Sequence, residues 1–327
     1  MSHFVSHSRR ASLSLLAGAA IVFSCSAASA ADWPTKPVKV LVPYGAGGPV
    51  DTVTRTLMEV VAKALGQAIV VENKPGANTT LSTDILARST PDGYSFGVVP
   101  AAYTTNQVLV KSLPYKPTDL MAVSHMVNIP LFLYTSAATP TSNVGEFVTW
   151  AGKKAPSYAS TGAGSTGHLL GESFTLAANL KAVHVPYTGS AKALPDLVSG
   201  LVDYFFDPAS GGMPLVKAGK LKVLAISAPK RCDCAPDVPT MAESGFPDIV
   251  QGSWIGLMAP AGTSKEVVER MAVEVGKALR TPAIAARLQA MGFGVAGGTP
   301  AQFQSLIDSD VSVYGAIARK ANITLDR

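Results

Sequence analysis

Two glycine-rich stretches contain the residues whose types and spacing best suit them to binding or chemistry. In the first, the apolar run Val38–Tyr44 leads into Gly45-Ala46-Gly47-Gly48-Pro49-Val50-Asp51. The glycines permit a tight turn, Pro49 suits the first turn of a helix, and Asp51 can accept hydrogen bonds from unpaired N–H groups there. Such N–H groups and the helix dipole favour a small anion. The same letters also fit a turn that binds nothing.

Neither common nucleotide motif fits this stretch. A dinucleotide fingerprint requires glycine where Val50 stands, and a P-loop requires Gly-Lys followed by Ser or Thr, which does not occur after Gly48. The first stretch therefore predicts a small anion and not a nucleotide.

The second stretch, Ser160-Thr161-Gly162-Ala163-Gly164-Ser165-Thr166-Gly167-His168, also lies between a short strand and a helix. Its hydroxyl and backbone N–H groups make a donor-rich turn. It departs by one residue from the G-x-S-x-G motif, so a secreted serine hydrolase with Ser165 as nucleophile is an alternative. The later histidine that a triad needs would have to be His184, which lies in a predicted strand. His168 is better explained as a hydrogen-bonding residue on the helix face.

A third loop, Tyr187-Thr188-Gly189-Ser190, adds two more hydroxyl groups, and Asp207 ends the strand Val202–Phe206. The carboxylate of Asp207 is suited to accept a hydrogen bond from a ligand hydroxyl or amine, or to cap a turn. These loops are rich in donors but contain no general acid–base pair, metal cluster or cofactor motif. The sequence thus predicts a binding site, with no enzymatic activity, no metal and no cofactor.

Apolar runs of strand length alternate with segments at helical period, which indicates βαβ units and parallel sheets. The predicted strands are Val38–Tyr44, Ala68–Glu72, Tyr94–Val99, Ser157–Ser160, Val183–Tyr187, Val202–Phe206 and Val223–Ser227. The predicted helices among them are Val50–Leu65, Ser82–Arg88, Val144–Lys154, Ser165–Ala178, Ala191–Ser199 and Met213–Ala218. After Ser264 the pattern is purely helical, over Lys265–Leu279, Pro282–Met291 and Pro300–Ala321.

Two further apolar runs, Ala122–Tyr134 and Ser253–Pro260, have no helix close to them and suit segments that carry the chain between two lobes. They predict one lobe from residues 31–134 and 255–327 and a second from residues 135–254. A chain of roughly 300 residues is long enough for two cores. The predicted fold class is α/β, with two lobes that each contain a mostly parallel sheet.

Residues 1–30 have the pattern of a secretory signal peptide, with Arg9 and Arg10 before an apolar run and Ala28-Ser29-Ala30 before Ala31. The run is shorter than the roughly 20 residues that span a bilayer. This predicts export to the periplasm with cleavage after Ala30. A lipoprotein that begins at Cys25 is disfavoured, because bulky Phe23 lies two residues before that cysteine, where lipoprotein sites usually have a small residue.

Charge and cysteine content exclude other classes. The chain has 27 basic and 22 acidic side chains, and loss of Arg9 and Arg10 with the signal peptide leaves 27 − 2 = 25 against 22, a net charge of +3. Without a Lys/Arg run, this predicts no nucleic-acid partner. Cys232 and Cys234 are too few for a zinc site and lack the C-x-x-C redox spacing, so they form a small-ring disulfide or stay reduced.

Blocks along almost the whole mature chain carry a resemblance to a known family. They are KPV (36–38), VPYGAGGPVD (42–51), VVENKPGA (70–77), PDGYSF (91–96), SLPYKPTDL (112–120), YASTGAGSTGHLLGE (158–172), VHVPYTGSAKALPDLVSGLVDYFFD (183–207), AGKLKVLAIS (218–227), PDVPTMAESGF (236–246) and WIGLMAPAGTS (254–264). The chain resembles the Bug receptors, periplasmic solute-binding proteins of tripartite tricarboxylate transporters. The resemblance implies a monomeric Venus flytrap that binds a carboxylated metabolite and serves membrane transporter subunits or, alternatively, a sensor protein.

The resemblance also implies which residues contact the ligand. In the first lobe these are Tyr44, Ala46, Gly47, Gly48 and Asp51, and in the second Ser160, Thr161, Gly164, Ser165, His168, Tyr187, Thr188, Ser190 and Asp207. The chain departs from the family at Asn78-Thr79-Thr80, where glycines are usual, and at Val99-Pro100-Ala101-Ala102-Tyr103. Both loops border the expected cleft, so they leave the identity of the acid open.

Overall fold

The computed structural model describes residues 33–325, and the predicted signal peptide with its cleavage site lies outside the described residues. In chain order the strands are β1 (Val38–Val42), β2 (Ile69–Asn73), β3 (Ser95–Pro100), β4 (Leu120–Ile129), β5 (Leu131–Ser136), β6 (Ser157–Ser160), β7 (Val183–Pro186), β8 (Tyr204–Pro208), β9 (Leu221–Ser227), β10 (Ser253–Pro260) and β11 (Gly294–Val295). The helices are α1 (Pro49–Leu65), α2 (Thr80–Ala87), α3 (Ala102–Leu109), α4 (Val144–Ala151), α5 (Thr166–Ala177), α6 (Ser190–Ser199), α7 (Ala209–Lys217), α8 (Lys265–Arg280), α9 (Pro282–Ala290) and α10 (Pro300–Ala321).

The strands form two sheets, in the orders β11-β4-β10-β3-β1-β2 and β7-β6-β8-β5-β9. The α/β class and the two-lobed architecture are therefore confirmed. The chain passes from the first sheet to the second at Pro130 and returns through residues 228–252. Tyr134, which the sequence placed near a crossing, lies inside β5 with none of its surface accessible.

Both sheets are mixed, which differs from the expectation that each is mostly parallel. In the first sheet β1 is parallel to β2 and β3, whereas β10 is antiparallel to β3 and β4. In the second, β6 is parallel to β7 and β8, whereas β5 is antiparallel to β8 and β9. The antiparallel strands β5 and β10 enter their sheets directly from the connecting segments, so no crossover helix requires them to run parallel.

Local signals explain where the helices at the predicted site begin. Pro49 occupies the first turn of α1, and Gly66 ends that helix in the left-handed region at φ 68°. Ser165 caps α5 through its side chain. Apolar residues of α5 and α10 share a small core in which Leu169 packs with Tyr314 and other buried side chains, so a helix of the second lobe is anchored on the first.

Two features were not predicted, and one question that the sequence left open is answered. Helix α3 follows β3 directly, and the two-residue strand β11 pairs with β4, so the expectation of a purely helical C-terminal part is wrong at Gly294–Val295. Cys232 and Cys234 form a disulfide, which selects between the two states that the sequence left open.

Within residues 33–325, no helix is long and apolar enough to cross a bilayer.

Candidate functional site

The carboxylate of Asp51 holds the loop between β1 and α1 in shape. It accepts hydrogen bonds from Gly47 N (2.9 Å), Asn73 Nδ2 (2.8 Å) and Arg55 Nε (3.0 Å to each oxygen). Burial opposes ionisation, but the hydrogen bonds from Arg55, Gly47 and Asn73 and the charge of Arg55 outweigh it and lower the pKa of Asp51. In the described structure the negative charge of Asp51 therefore fixes the loop.

The start of α1 offers backbone donors. Gly48 precedes the helix without a side-chain cap, and Pro49 has no N–H group. The N–H groups of Val50 and Asp51 have no acceptor among the described residues. They lie at the positive end of a helix of 17 residues, which is the arrangement that attracts a small anion.

Tyr44 and the glycines of this loop face open space. The side chain of Tyr44 keeps 38% of its surface accessible, yet burial of its hydroxyl raises the pKa of Tyr44 to about 12. The hydroxyl is therefore less hydrated than the rest of the residue. A Cβ added at Gly45 or Gly47 meets no atom within 4 Å, so open space adjoins the loop.

The loop between β6 and α5 supplies a hydroxyl donor. Ser165 Oγ accepts the N–H of His168 (3.2 Å), which leaves the hydroxyl proton free to donate. Gly162 and Gly164 adopt φ of 140° and 77°, which a residue with a side chain adopts only under strain. Thr161 is exposed beside them.

Two stacked, neutral histidines pack against this loop. The rings of His168 and His184 are 3.7 Å apart between centroids, and Tyr158 stacks on His184 at 5.0 Å. Burial, with a contribution from His184, lowers the pKa of His168 to about 3, and burial lowers that of His184 to about 4. His168 Nδ1 accepts the N–H of Gly164 at 3.1 Å, so the neutral ring carries its proton on Nε2.

The hydroxyl groups of this loop do not have the geometry of a hydrolase. None of the hydrogen bonds in residues 33–325 joins an imidazole to Ser165 Oγ, because His168 faces Gly164. The serine that does meet an imidazole is Ser160, 2.7 Å from His184 Nε2, and none of its surface is accessible. A nucleophile must reach its substrate, so the serine alternative has no geometric support.

The third loop joins the second and places Asp207 beneath it. Tyr187 N donates to Ser160 O (3.0 Å), and Thr188 is exposed. Ser190 donates its hydroxyl to Asp207 Oδ1, whereas Oδ2 is buried without a partner among the described residues. Burial raises the pKa of Asp207 to about 7, so this carboxyl takes up a proton near neutral pH.

Helix α3 contacts the segment after β2 and the loop after β6. No described hydrogen bond joins the loop after β1 to the loop after β6. The segment after β2 and the loop after β6 both approach α3. Asn106 of α3 exchanges hydrogen bonds with Asn78, at 2.9 Å each, in the segment after β2. A Cβ at Gly164 would lie 3.2 Å from Leu109 of α3 and 2.5 Å from Leu325. Because β1, β2 and β3 are parallel, their carboxyl ends share one edge of the sheet, and the loop after β1, the segment after β2 and α3 all leave from that edge.

Several residues of this region were not predicted as part of the site. Arg55 and Asn73 hold Asp51, and Asn73 also donates to Tyr44 O at 2.9 Å. Asn73 lies in the VVENKPGA block, which was a usable signal. Ala77, Asn78 and Thr79 all have positive φ, at 47°, 49° and 75°. Two residues of the departure from glycine, Asn78 and Thr79, therefore fall on a strained backbone, whereas Thr80 has an ordinary helical φ of −63°.

Comparison with known proteins identifies the family. A sequence profile described as "Tripartite tricarboxylate transporter family receptor" matches residues 53–323. The chain belongs to this family. Protein BugT of Bordetella pertussis is 31% identical over 303 residues, which cover 91% of this chain and 93% of BugT. The resemblance to Bug receptors is thereby confirmed.

Solved structures of related receptors share the fold. The periplasmic binding protein BugD is 33% identical with a TM-score of 0.74, covering 89% of this chain and 99% of BugD. An R. palustris protein with adipate is 29% identical with a TM-score of 0.78, covering 90% of this chain and 99% of that protein. MatC from Rhodopseudomonas palustris with bound malate is 30% identical with a TM-score of 0.73, covering 87% and 99%.

Proposed function

We propose that this protein binds a small mono- or dicarboxylate between its two lobes and delivers it to the membrane subunits of a tripartite tricarboxylate-type transporter. The protein acts in the periplasm as a monomer after cleavage behind Ala30. Its lobes are those predicted from the sequence, residues 31–134 plus 255–327 and residues 135–254, except that the first boundary moves to Pro130 because β5 (Leu131–Ser136) belongs to the second sheet. A partner that binds the loaded receptor but belongs to a sensor system would indicate signalling instead.

One observation carries the proposal: each sheet presents a donor-rich loop that leads into the start of a helix. Val50 and Asp51 offer N–H groups on one side, and Ser165 offers a hydroxyl on the other. The adipate and malate found in two relatives are dicarboxylates, and two such loops suit a carboxylate at each end of one molecule.

The predicted contacts include no arginine or lysine, and Arg55 is already bound to Asp51. We therefore propose recognition by neutral donors and helix dipoles, without a guanidinium clamp. A hydrogen bond to a charged group contributes roughly 1.5–3 kcal/mol. Several together supply the roughly 8 kcal/mol of micromolar binding.

A thermal-shift screen of mono- and dicarboxylates, with adipate and malate included, tests the proposal. A ligand that binds only the folded protein raises its stability by about 2.7 kcal/mol at 100 times Kd. Isothermal titration of each hit then compares variants. Ser165→Ala should weaken binding about tenfold or more, 1.4 kcal/mol. Ser264→Ala is the matched control, because Ser264 caps α8 in the same way without belonging to the predicted site.

A second pair of variants tests the first loop. Gly47→Val and Gly66→Val introduce the same side chain at positive φ, 80° and 68°, where each Cβ has open space. The strain is matched, but only Gly47 lies in the predicted site. We expect about a tenfold or greater loss of affinity for Gly47→Val alone. Equal affinities in all four variants would refute the two-loop site.

A further inference from the structure

A cavity of about 740 Å³ lies where the two sheets are connected. Its walls include Pro130 and parts of residues 228–252, which are the two connections, together with β10, β11 and α10. None of the residues predicted to bind the carboxylate lines it. Its volume falls in the range of about 300–1,000 Å³ that is usual for small-molecule sites.

The lining combines an apolar surface with one buried acid. Ile226, Val250, Phe293, Val295, Leu306 and Val313 supply apolar walls, and Asp310 of α10 lies among the lining residues. Asp310 is buried, with 9% of its surface accessible. Such a combination, a few polar groups in a mostly apolar hollow, is typical of sites for small organic molecules.

The carboxyl of Asp310 is only partly satisfied by the protein. Trp254 Nε1 donates to its Oδ2 at 2.6 Å, but no side chain in residues 33–325 forms an ion pair with it. Burial raises the pKa of Asp310 to about 6. A buried carboxylate without a cation is costly, and a bound cation offsets that cost.

The other charged lining residues lie toward solvent. Lys230, Arg231 and Asp233 are exposed, and Arg231 is paired with Glu243 at 3.0 Å. The buried part of the cavity is thus negative, which complements a cation. It contrasts with the predicted carboxylate site, whose available groups are donors.

We propose that this cavity is a second ligand site, for a small amine with an aromatic or alkyl body, in which the ammonium group binds Asp310 and the body packs on the apolar walls. The site shares no lining residue with the predicted carboxylate site. In a purely structural role, Asp310 would only accept the indole N–H of Trp254. Asp310→Asn separates the two roles, because the amide oxygen still accepts that N–H while the charge is lost.

Titration calorimetry of the mature protein with tryptamine and with tryptophol tests the proposal, at a pH about one unit or more above the pKa of Asp310. The two probes share an indole body, but only tryptamine carries an ammonium group. We expect tryptamine to bind at least about tenfold more tightly than tryptophol. Asp310→Asn should abolish that preference. Asp308→Asn, on the exposed side of the same helix and bonded to Gln304, should preserve it.

Ser309→Trp provides a second test that does not alter the buried acid. Ser309 is exposed and lines the cavity, so an indole at this position fills the cavity with little effect on the core. Binding of both probes should be lost, whereas the thermal unfolding of this variant should match that of the wild type. Three results would overturn the proposal: no saturable tryptamine binding up to about 10 mM, equal affinity of wild type and Asp310→Asn for tryptamine, or unchanged binding in Ser309→Trp.

Discussion

Asp51 is the residue on which the first loop depends, because its carboxylate accepts hydrogen bonds from Gly47, Arg55 and Asn73. We expect Asp51→Asn to lower the free energy of unfolding at neutral pH by about 2 kcal/mol, since the amide group places N–H groups against the donors of Arg55 and Asn73. Urea denaturation measures the difference. Asp84→Asn is a control, because Asp84 is only partly buried and its partner Arg88 is largely exposed, so that this pair contributes about 0–1 kcal/mol.

The pH dependence distinguishes the charge of Asp51 from its packing. Its pKa in the folded protein is lower than the ordinary value of 3.8. The stability that it contributes is therefore fully present above that value and is lost as the pH falls through the folded pKa. The destabilisation by Asp51→Asn should shrink below about pH 4. A loss that is no larger than that of Asp84→Asn at neutral pH would contradict this role.

Asp207 has the opposite pH behaviour. Burial raises its pKa from 3.8 to about 7, against the partial compensation by Ser190. The folded protein then binds this proton more tightly than the unfolded chain, so the contribution of Asp207 makes the free energy of unfolding fall as the pH rises from 3.8 to about 7. Asp207→Asn cannot ionise and should flatten this part of the profile. Urea titrations across this window measure the slopes, and equal slopes in both proteins would show that Asp207 ionises normally.

Among the elements, the segment between β2 and α2 stores backbone strain. Thr79 is β-branched and has φ 75°, and its buried Oγ1 has no partner among the described residues. A left-handed conformation of such a residue costs about 1–3 kcal/mol. We expect Thr79→Gly to raise the free energy of unfolding by about 1 kcal/mol, because it removes both the strain and the unpaired hydroxyl, at the cost of greater freedom in the unfolded chain.

Thr80→Gly is the control for this prediction. Thr80 has an ordinary helical φ of −63°, and its hydroxyl donates to Ala77 O at 2.7 Å. Glycine at this position removes no backbone strain and loses the hydrogen bond of the hydroxyl, so this variant should be less stable than the wild type. Thermal or urea unfolding of the two variants gives the sign of the change in the free energy of unfolding. If both variants lose stability, the segment is not strained.

Elements with strong local signals could be predicted from the sequence, and those set by distant partners could not. The bounds of β6 and α10 agree with the prediction, because a short strand before a glycine turn and a Thr299 cap are local patterns. Helix α3 was missed because Ala101 precedes it without a side-chain cap. Its buried Tyr103 and Leu109 fix it through tertiary packing. The two residues of β11 form a strand only because β4 is beside them.

The same distinction applies to the candidate site. The residue types of the loops indicated donors, and their placement at the starts of α1, α5 and α6 agrees with the sequence pattern. The pairing of Ser190 with Asp207 joins residues 17 positions apart, and that of Asn73 with Asp51 joins residues 22 apart. No local periodicity encodes such partners. They depend on which strands become neighbours in each sheet.

The whole molecule has the connections that a hinge motion requires. The chain crosses between the sheets at Pro130 and through residues 228–252. Around these connections, Leu169 of α5 packs with Leu109 of α3 and with Tyr314 of α10. Motion that closes one lobe on the other must therefore bend the two connections and slide α5 across this shared core, in the manner of combined hinge and shear.

We expect a bound carboxylate to favour a closed arrangement, because only there can the loop after β1 and the loop after β6 hold the same molecule. Population of the closed form is set by the difference in affinity between the two arrangements. Small-angle scattering should show a smaller radius of gyration at saturating adipate or malate, whichever binds. At a ligand concentration near the wild-type Kd, Gly47→Val should show a smaller decrease than the wild type because its affinity is about tenfold lower, whereas Gly66→Val should close like the wild type, since its strained valine lies at the other end of α1. A radius of gyration that stays constant while calorimetry reports saturation would mean that the ligand is held by one lobe alone, and the two-loop arrangement would then have to be abandoned.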